Sequence, residues 1–175
     1  MTTIAYKGDT MAADTQSQDG AGLKYTVQKL HVADFISGGP YLTKCRLIVA
    51  ASGHRDDGIR LFEHVRGLMV SQHIDAVRKV LTNLRLDKDL DIDAGNENSS
   101  FMASLYSGDR KQVVYRVGRV FTTLDARGYH AIGSGRDFAL MAMRLGKSPK
   151  QAVKLAHEFD VNTGPGIQEV NLWPT

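Results

Sequence analysis

Thr2 stands directly behind the initiator methionine, and removal of Met1 would leave it with a hydroxyl and a free α-amine on one residue. Such a residue is a nucleophile that carries its own base. The same dipeptide is also an ordinary way for a chain to begin, so its meaning depends on what the other residues offer. The six histidines (His31, His54, His64, His73, His130 and His157) have no metal-binding spacing, and His157-Glu158 is not followed by a histidine at Val161. No metal site is therefore expected. Gly133-Ser134-Gly135 lacks the third glycine of a dinucleotide loop, because Phe138 holds that position. Neither a Gly-x-Ser-x-Gly elbow nor a Walker loop occurs. The single cysteine, Cys45, excludes an intrachain disulfide and lies in an apolar segment, where a buried thiol is expected. With the usual enzyme signatures missing, the terminus is the remaining candidate.

The elements that must position Thr2 follow from periodicity. Thr2 to Tyr6 and Met11 to Thr15 have strand character around the turn Lys7-Gly8-Asp9-Thr10, a hairpin that pins the terminus in a sheet. Gln16 to Gly22 reads as a polar loop, Leu23 to Val32 and Asp34 to Ser37 as extended chain around Lys29, and Ser37-Gly38-Gly39-Pro40 as a turn. Cys45 to Ala51 suits a central strand ending at Ser52-Gly53. Beyond it Ile59, Phe62, Val65 and Met69 share one helical face from Asp56 to about Val70, and Ile74, Val77, Leu81 and Leu84 repeat that pattern. Asp87 to Ser100 is a loop by composition. Phe101 to Tyr106, Gln112 to Val117 and Val120 to Leu124 form a meander, with Tyr129 to Ile132 a further strand. A helix from Arg136 to Leu145 ends at Gly146. Ser148-Pro149-Lys150-Gln151 then combines an N-cap serine, a proline at the first helical position and a glutamine three residues after the cap. A last strand covers Ile167 to Trp173. Strands, two helices, strands, two helices and a strand imply two packed sheets with a helix pair outside each, an α+β arrangement.

A chain of 175 residues suits a single domain spanning 1–175. Its 42% hydrophobic and 23% charged residues are ordinary for a globular protein. The formal charge of +3 is spread along the chain without a basic run, so no nucleic-acid partner is expected. There is no apolar segment of membrane-spanning length and no signal-peptide pattern, which makes a cytoplasmic protein without membrane contact the expectation.

In chain order, Thr2-Thr3-Ile4, Met11-Ala12-Ala13-Asp14-Thr15, Gln28-Lys29-Leu30, the strand into Ala50-Ala51-Ser52-Gly53, Ala131-Ile132-Gly133-Ser134-Gly135 and Asp160-Val161-Asn162-Thr163-Gly164 span nearly the whole chain. Together they resemble the proteasome β-subunit superfamily of N-terminal-nucleophile threonine peptidases, most like the bacterial HslV-type peptidase in character. The resemblance implies a four-layer αββα sandwich, the N-terminal-nucleophile hydrolase fold, with two antiparallel sheets flanked by helix pairs. It also implies a threonine endopeptidase that hydrolyses polypeptide through an acyl-enzyme on Thr2 once Met1 is gone, with no cofactor needed for the chemistry. Such proteins act as rings, so a homo-oligomer is implied, and an ATP-dependent unfoldase is a compatible partner.

Carried over position by position, Thr2 matches the nucleophile, Asp14 the acidic residue ending the second strand, and Lys29 the lysine beside the threonine. Lys29 would favour alkoxide character in the hydroxyl, and Asp14 would hold that ammonium in place. Ser134, Asp160 and Thr163 match the network around the terminal amine, with threonine where many members carry serine. Apart from the resemblance, Ser134 is a helix N-cap and Asp160 to Thr163 a helix end. The oxyanion donor matches Ala50, with Gly53 as the second glycine position. Val27, His31, Ile48 and Ser52 fall near the substrate pocket and would make it moderately apolar. Asp34 to Lys44 is longer than the family usually shows and extends a hairpin. Two other readings are a catalytically silent assembly subunit, which Thr2, Asp14 and Lys29 argue against, and an N-terminal-nucleophile amidohydrolase acting on a small amide.

Overall fold

The computed structural model describes residues 2–18, 21–37, 43–53, 55–70, 100–107, 110–117, 120–124 and 128–173. In chain order the strands are β1 (Thr3–Lys7), β2 (Thr10–Asp14), β3 (Gln16–Gln18), β4 (Lys24–Thr26), β5 (Leu30–Ser37), β6 (Thr43–Ser52), β7 (Ser100–Ser107), β8 (Arg110–Val117), β9 (Val120–Leu124), β10 (Tyr129–Gly133) and β11 (Ile167–Asn171). Among the described residues three helices accompany them, α1 (Arg55–Val70), α2 (Arg136–Arg144) and α3 (Pro149–Phe159). The chain is thus α+β with antiparallel sheets.

The terminal hairpin forms as its pattern requires. Gly8 takes φ +58 between β1 and β2, a left-handed turn conformation that costs glycine little. The hairpin lies in the middle of a four-stranded sheet ordered β10-β1-β2-β11, so the strand behind Thr2 has neighbours on both sides. The second sheet is ordered β5-β6-β7-β8-β9. Its β5–β6 hairpin stays in register from Leu30↔Ala50 to Ser37↔Thr43, which is the extension expected of the Asp34 to Lys44 stretch.

Alternation along the strands sorts the core. Ile4, Tyr6, Met11 and Ala13 of the first sheet meet Leu30, Ile48, Ala50 and Met102 of the second in one buried cluster. On the other face of the first sheet Ala5, Ala12 and Ala131 pack against Ala139, Ala142 and Met143 of α2 and Ala152 and Val153 of α3. Alanines at those strand positions let the helices approach closely. Cys45, Leu47 and Val49 face the opposite way from Ile48 and bury Leu61, Phe62 and Val65 of α1. Ser148 accepts from the Gln151 backbone N–H at 3.2 Å and Gln151 Oε1 accepts from the Ser148 N–H at 3.1 Å, so the capping box opens α3 as its residues foretell.

Several boundaries differ from expectation. Gln16 to Gln18 is a strand paired with Lys24 to Thr26 in a separate two-stranded ribbon, where a loop was expected. The extended stretch around Lys29 divides into β4 and β5, and the last strand ends at Asn171. The turn at 38–40, the helix repeat at 74–84 and most of the loop at 87–100 lie outside the described residues. No helix among the described residues is long and apolar enough to cross a membrane.

Candidate active site

Thr2 precedes β1 and is 5% exposed. Its carbonyl accepts from the Ser134 N–H at 2.9 Å. Gly133, at φ +97, makes that approach possible: a Cβ at Gly133 would stand 1.7 Å from the Thr2 carbonyl oxygen. Only glycine fits there. Thr2, Ser17, Val27, Gln28, Lys29, His31, Ala51 and Gly53 line a cleft enclosing about 350 Å³, part of it open to solvent.

Beside this cleft lies a buried ion pair. Lys29 Nζ donates to both oxygens of Asp14 at 3.0 Å, with side-chain exposures of 6% and 0%. Asp14 collects backbone donors as well, from Thr3 at 2.8 Å, Gln16 at 3.0 Å and Gly164 at 2.9 Å. A carboxylate so surrounded has its hydrogen-bonding capacity met within the fold. Burial pushes the Lys29 ammonium below its ordinary pKa, against the opposing pull of the Asp14 charge and hydrogen bond.

On the helix side of the first sheet a second network meets the same terminus. Thr3 Oγ1 and Thr163 Oγ1 are 2.5 Å apart, and Thr163 Oγ1 donates to Asp160 Oδ2 at 2.7 Å. Ser134 Oγ donates to the same Asp160 oxygen at 2.7 Å, while Asn162 N–H reaches Oδ1 at 3.1 Å. Burial works against the Asp160 charge, but the bonds from Ser134, Thr163 and Asn162 outweigh it and hold the carboxyl below its usual range. Gly135 leaves room for the network, because a Cβ there would lie 2.3 Å from Thr3 Oγ1 and 2.8 Å from Thr163 Oγ1. His157 Nδ1 stands 2.7 Å from the Thr163 carbonyl and steadies the loop.

Of the residues singled out in the sequence, Thr2, Lys29, Val27, His31 and Gly53 share the cleft, and Asp14 underlies it. Ser134, Asp160 and Thr163 form one hydrogen-bonded group. The helix-cap reading of Ser134 is corrected: Gly135 occupies the cap of α2 without a side-chain hydrogen bond, and the Ser134 hydroxyl turns to Asp160. Ala50 does not line the cleft. It is a mid-strand residue paired with Leu30 and Met102, with its side chain fully buried between the sheets. Gly53, past the end of β6 at φ +105, reaches the cleft instead. Ile48 is likewise a core residue rather than a pocket wall, because its even position on β6 faces the first sheet. Ser52, 7% exposed, sits near Gly133, whose Cβ would come 3.1 Å from its hydroxyl.

Sequence reasoning missed Ser17 and Gln28 in the cleft, the Gly164 N–H on Asp14, and Gln168, which accepts from the Lys29 N–H at 2.7 Å. Ser17 and Gln28 had no signal beyond proximity to motif residues. Among the described residues no group of three His, Cys, Asp or Glu side chains could hold a metal.

No family model matches the chain, and no curated protein matches it. Among solved structures it is similar to eukaryotic HslV from Trypanosoma brucei, with TM-score 0.63 and 22% identity over 97% of each chain. It is also similar to Anbu, the ancestral β-subunit, from Yersinia bercovieri, with TM-score 0.72 and 11% identity over 97% of this chain and 80% of that one. A third likeness, TM-score 0.62 at 14% identity over 97% and 80%, is to Anbu from Pseudomonas aeruginosa, solved as a helical assembly. At these identities the likeness establishes the fold alone: the chain has the fold seen in HslV and Anbu.

Proposed function

We propose that this chain, as one domain over residues 1–175, is a threonine endopeptidase acting after Met1 is removed. The observation that carries the reading is the buried Lys29–Asp14 pair beside Thr2 in the cleft. A partnered lysine with little water around it is an expensive arrangement for a surface lysine and a strand-end aspartate, and it suits a group that acts on the neighbouring hydroxyl.

The freed α-amine, with a reference pKa of ~7.7 to 8.0, accepts the proton of the Thr2 hydroxyl near neutral pH. The Lys29 charge favours oxyanion character on that oxygen and keeps the amine neutral. As the Oγ–C bond forms, negative charge passes to the scissile carbonyl oxygen, and a backbone N–H at Gly53, a residue that lines the cleft, would receive it. Collapse breaks the C–N bond, and the ammonium returns its proton to the leaving amine. Water, with the same amine as base, then cleaves the ester and frees Thr2. Ser134, Asp160 and Thr163 orient the terminus from the other side, and no cofactor enters. Val27 and His31 offer walls for the substrate side chain before the cleaved bond.

The reading includes an αββα sandwich with a helix pair on each outer face, and the helix repeat expected at 74–84 lies outside the described residues. A homo-oligomeric ring in the cytoplasm, served by an ATP-dependent unfoldase, completes the reading. Self-association is supported by exposed Phe138 and Met141 of α2 and Leu145 just past its end, beside Phe159 and Val161, with the Phe138 and Phe159 rings stacked at 5.4 Å. The test is intact mass with a peptide epoxyketone probe. Processed wild type should gain one probe on Thr2 and hydrolyse peptides, and Thr2→Ala should do neither. A chain that retains Met1, or a Thr2→Ala variant as active as wild type, would sink the reading.

A further inference from the structure

Gln168 lies outside the set of residues that motif matching brings forward, yet it touches the backbone of Lys29. Strand β11 pairs with β2 so that Ile167 is opposite Asp14 and Gln168 opposite Ala13. Ile167 packs with the helix-side cluster and Val170 with the cluster between the sheets, so alternation turns Gln168 toward the second sheet. There its Oε1 accepts from two successive backbone donors, Lys29 N–H at 2.7 Å and Leu30 N–H at 3.3 Å. Pairing of β5 with β6 starts at Leu30↔Ala50, which leaves the Lys29 N–H outside the ladder. The Gln28 side chain donates to the Leu30 carbonyl at 2.9 Å and fixes the same bend.

We propose that Gln168 is a positioning residue, whose side-chain carbonyl crosses between the sheets and holds the backbone of Lys29 so that its ammonium meets Asp14 beside Thr2. The proposal rests on the threonine-peptidase reading. The physical need is specific. Thr2 leads into the first sheet and Asp14 ends one of its strands, whereas Lys29 lies just before β5 of the second, and the apolar contacts between the sheets are non-directional. Asp14 fixes the tip of the lysine side chain, and Gln168 fixes its base. A hydroxyl at this position on β11 would be too short to span the gap, and a lysine or arginine offers no acceptor. A misplacement of about 1 Å among reacting groups can cost on the order of 10²-fold in rate.

The experiment uses full-length chain with Met1 removed and follows the rate of epoxyketone addition to Thr2 against pH, alongside thermal unfolding. Gln168→Met keeps length and packing but removes the acceptor. It should slow labelling by roughly 10- to 100-fold with only a small change in Tm. Gln168→Glu restores an acceptor at the same reach and should label within about threefold of wild type. Its added negative charge should also move the alkaline fall in rate, set by Lys29 deprotonation, to higher pH. If Gln168→Met does not fold, the rate and pH profile of Gln168→Glu decide alone. Wild-type rate and profile in Gln168→Met, or equal loss in both variants, overturns the positioning role. No labelling of processed wild type overturns the peptidase reading itself, a separate outcome.

Discussion

Replacing Asp14 and replacing Lys29 remove the same ion pair, but they should not cost the same. In Asp14→Asn the Lys29 ammonium stays buried at 6% side-chain exposure and loses its anion. Stranding one partner of a buried pair costs about 3 to 5 kcal/mol. The asparagine NH₂ also turns donors toward N–H groups of Thr3, Gln16 or Gly164, all of which point at this side chain. In Lys29→Met, by contrast, Asp14 keeps those three backbone donors. A carboxylate with such donors remains satisfied, and the loss is the charge-assisted contact from Lys29 to its two oxygens, about 1.5 to 3 kcal/mol or somewhat more, offset by relief of the lysine desolvation. Asp14→Asn should therefore be the more damaging change by roughly 2 kcal/mol. At about 2 to 4 °C per kcal/mol for a chain of this size, it should lower Tm by roughly 6 to 20 °C, and Lys29→Met by much less. The double variant should recover part of the Asp14→Asn loss, because methionine removes the stranded charge. Calorimetry at a fixed protomer concentration measures all three, with concentration held constant because association would shift Tm. A Lys29→Met variant as unstable as Asp14→Asn, or a double variant no better than Asp14→Asn, would refute the asymmetry.

Gly135→Ala should abolish probe labelling while the chain still folds, because the new Cβ would press on Thr3 Oγ1 and Thr163 Oγ1, which labelling and circular dichroism on one sample can separate. The Asp160 carboxyl, held below its usual pKa by the bonds from Ser134, Thr163 and Asn162, binds its proton less readily folded than unfolded. Its contribution is therefore complete above the ordinary aspartate value near 3.8 and is lost as pH falls through the folded pKa. Acid titration of stability should show a shallower loss in Ser134→Ala than in wild type, and an unchanged acid limb would count against that linkage.

Much of the fold was legible because the period changes at Gly53 and at Gly133 mark where strands give way to helices. The β3–β4 ribbon was not. Gln16 to Gln18 pairs with three exposed residues, so no buried face imposes an alternation to read. Asp14 and Lys29 were found through motif resemblance, while their meeting depends on two sheets closing over each other. Ser134 was ambiguous because a serine before a helix suits a cap, and the choice of Asp160 over the cap is a tertiary contact spanning 26 residues. Ala50 and Gly53 could be separated only by the face of β6 and the end of its pairing. Gln168 had no signal at all, since a glutamine in a half-buried strand reads like any exposed polar residue.

The donors around Asp14 also bear on when the chain can become dangerous to its neighbours. Thr3, Gln16, Lys29 and Gly164 come from the opening strand, the following ribbon, the entry to the second sheet and the turn after α3. Gly164 lies 150 residues away in the chain. Contacts of such long range form late, because loop closure must precede them. A chain still emerging, without β11 and the turn before it, leaves Asp14 short of the Gly164 donor and the Lys29 backbone without the Gln168 acceptor. On the threonine-peptidase reading proposed above, reactivity at Thr2 arrives with completion of the fold, and a half-made molecule is an inert one.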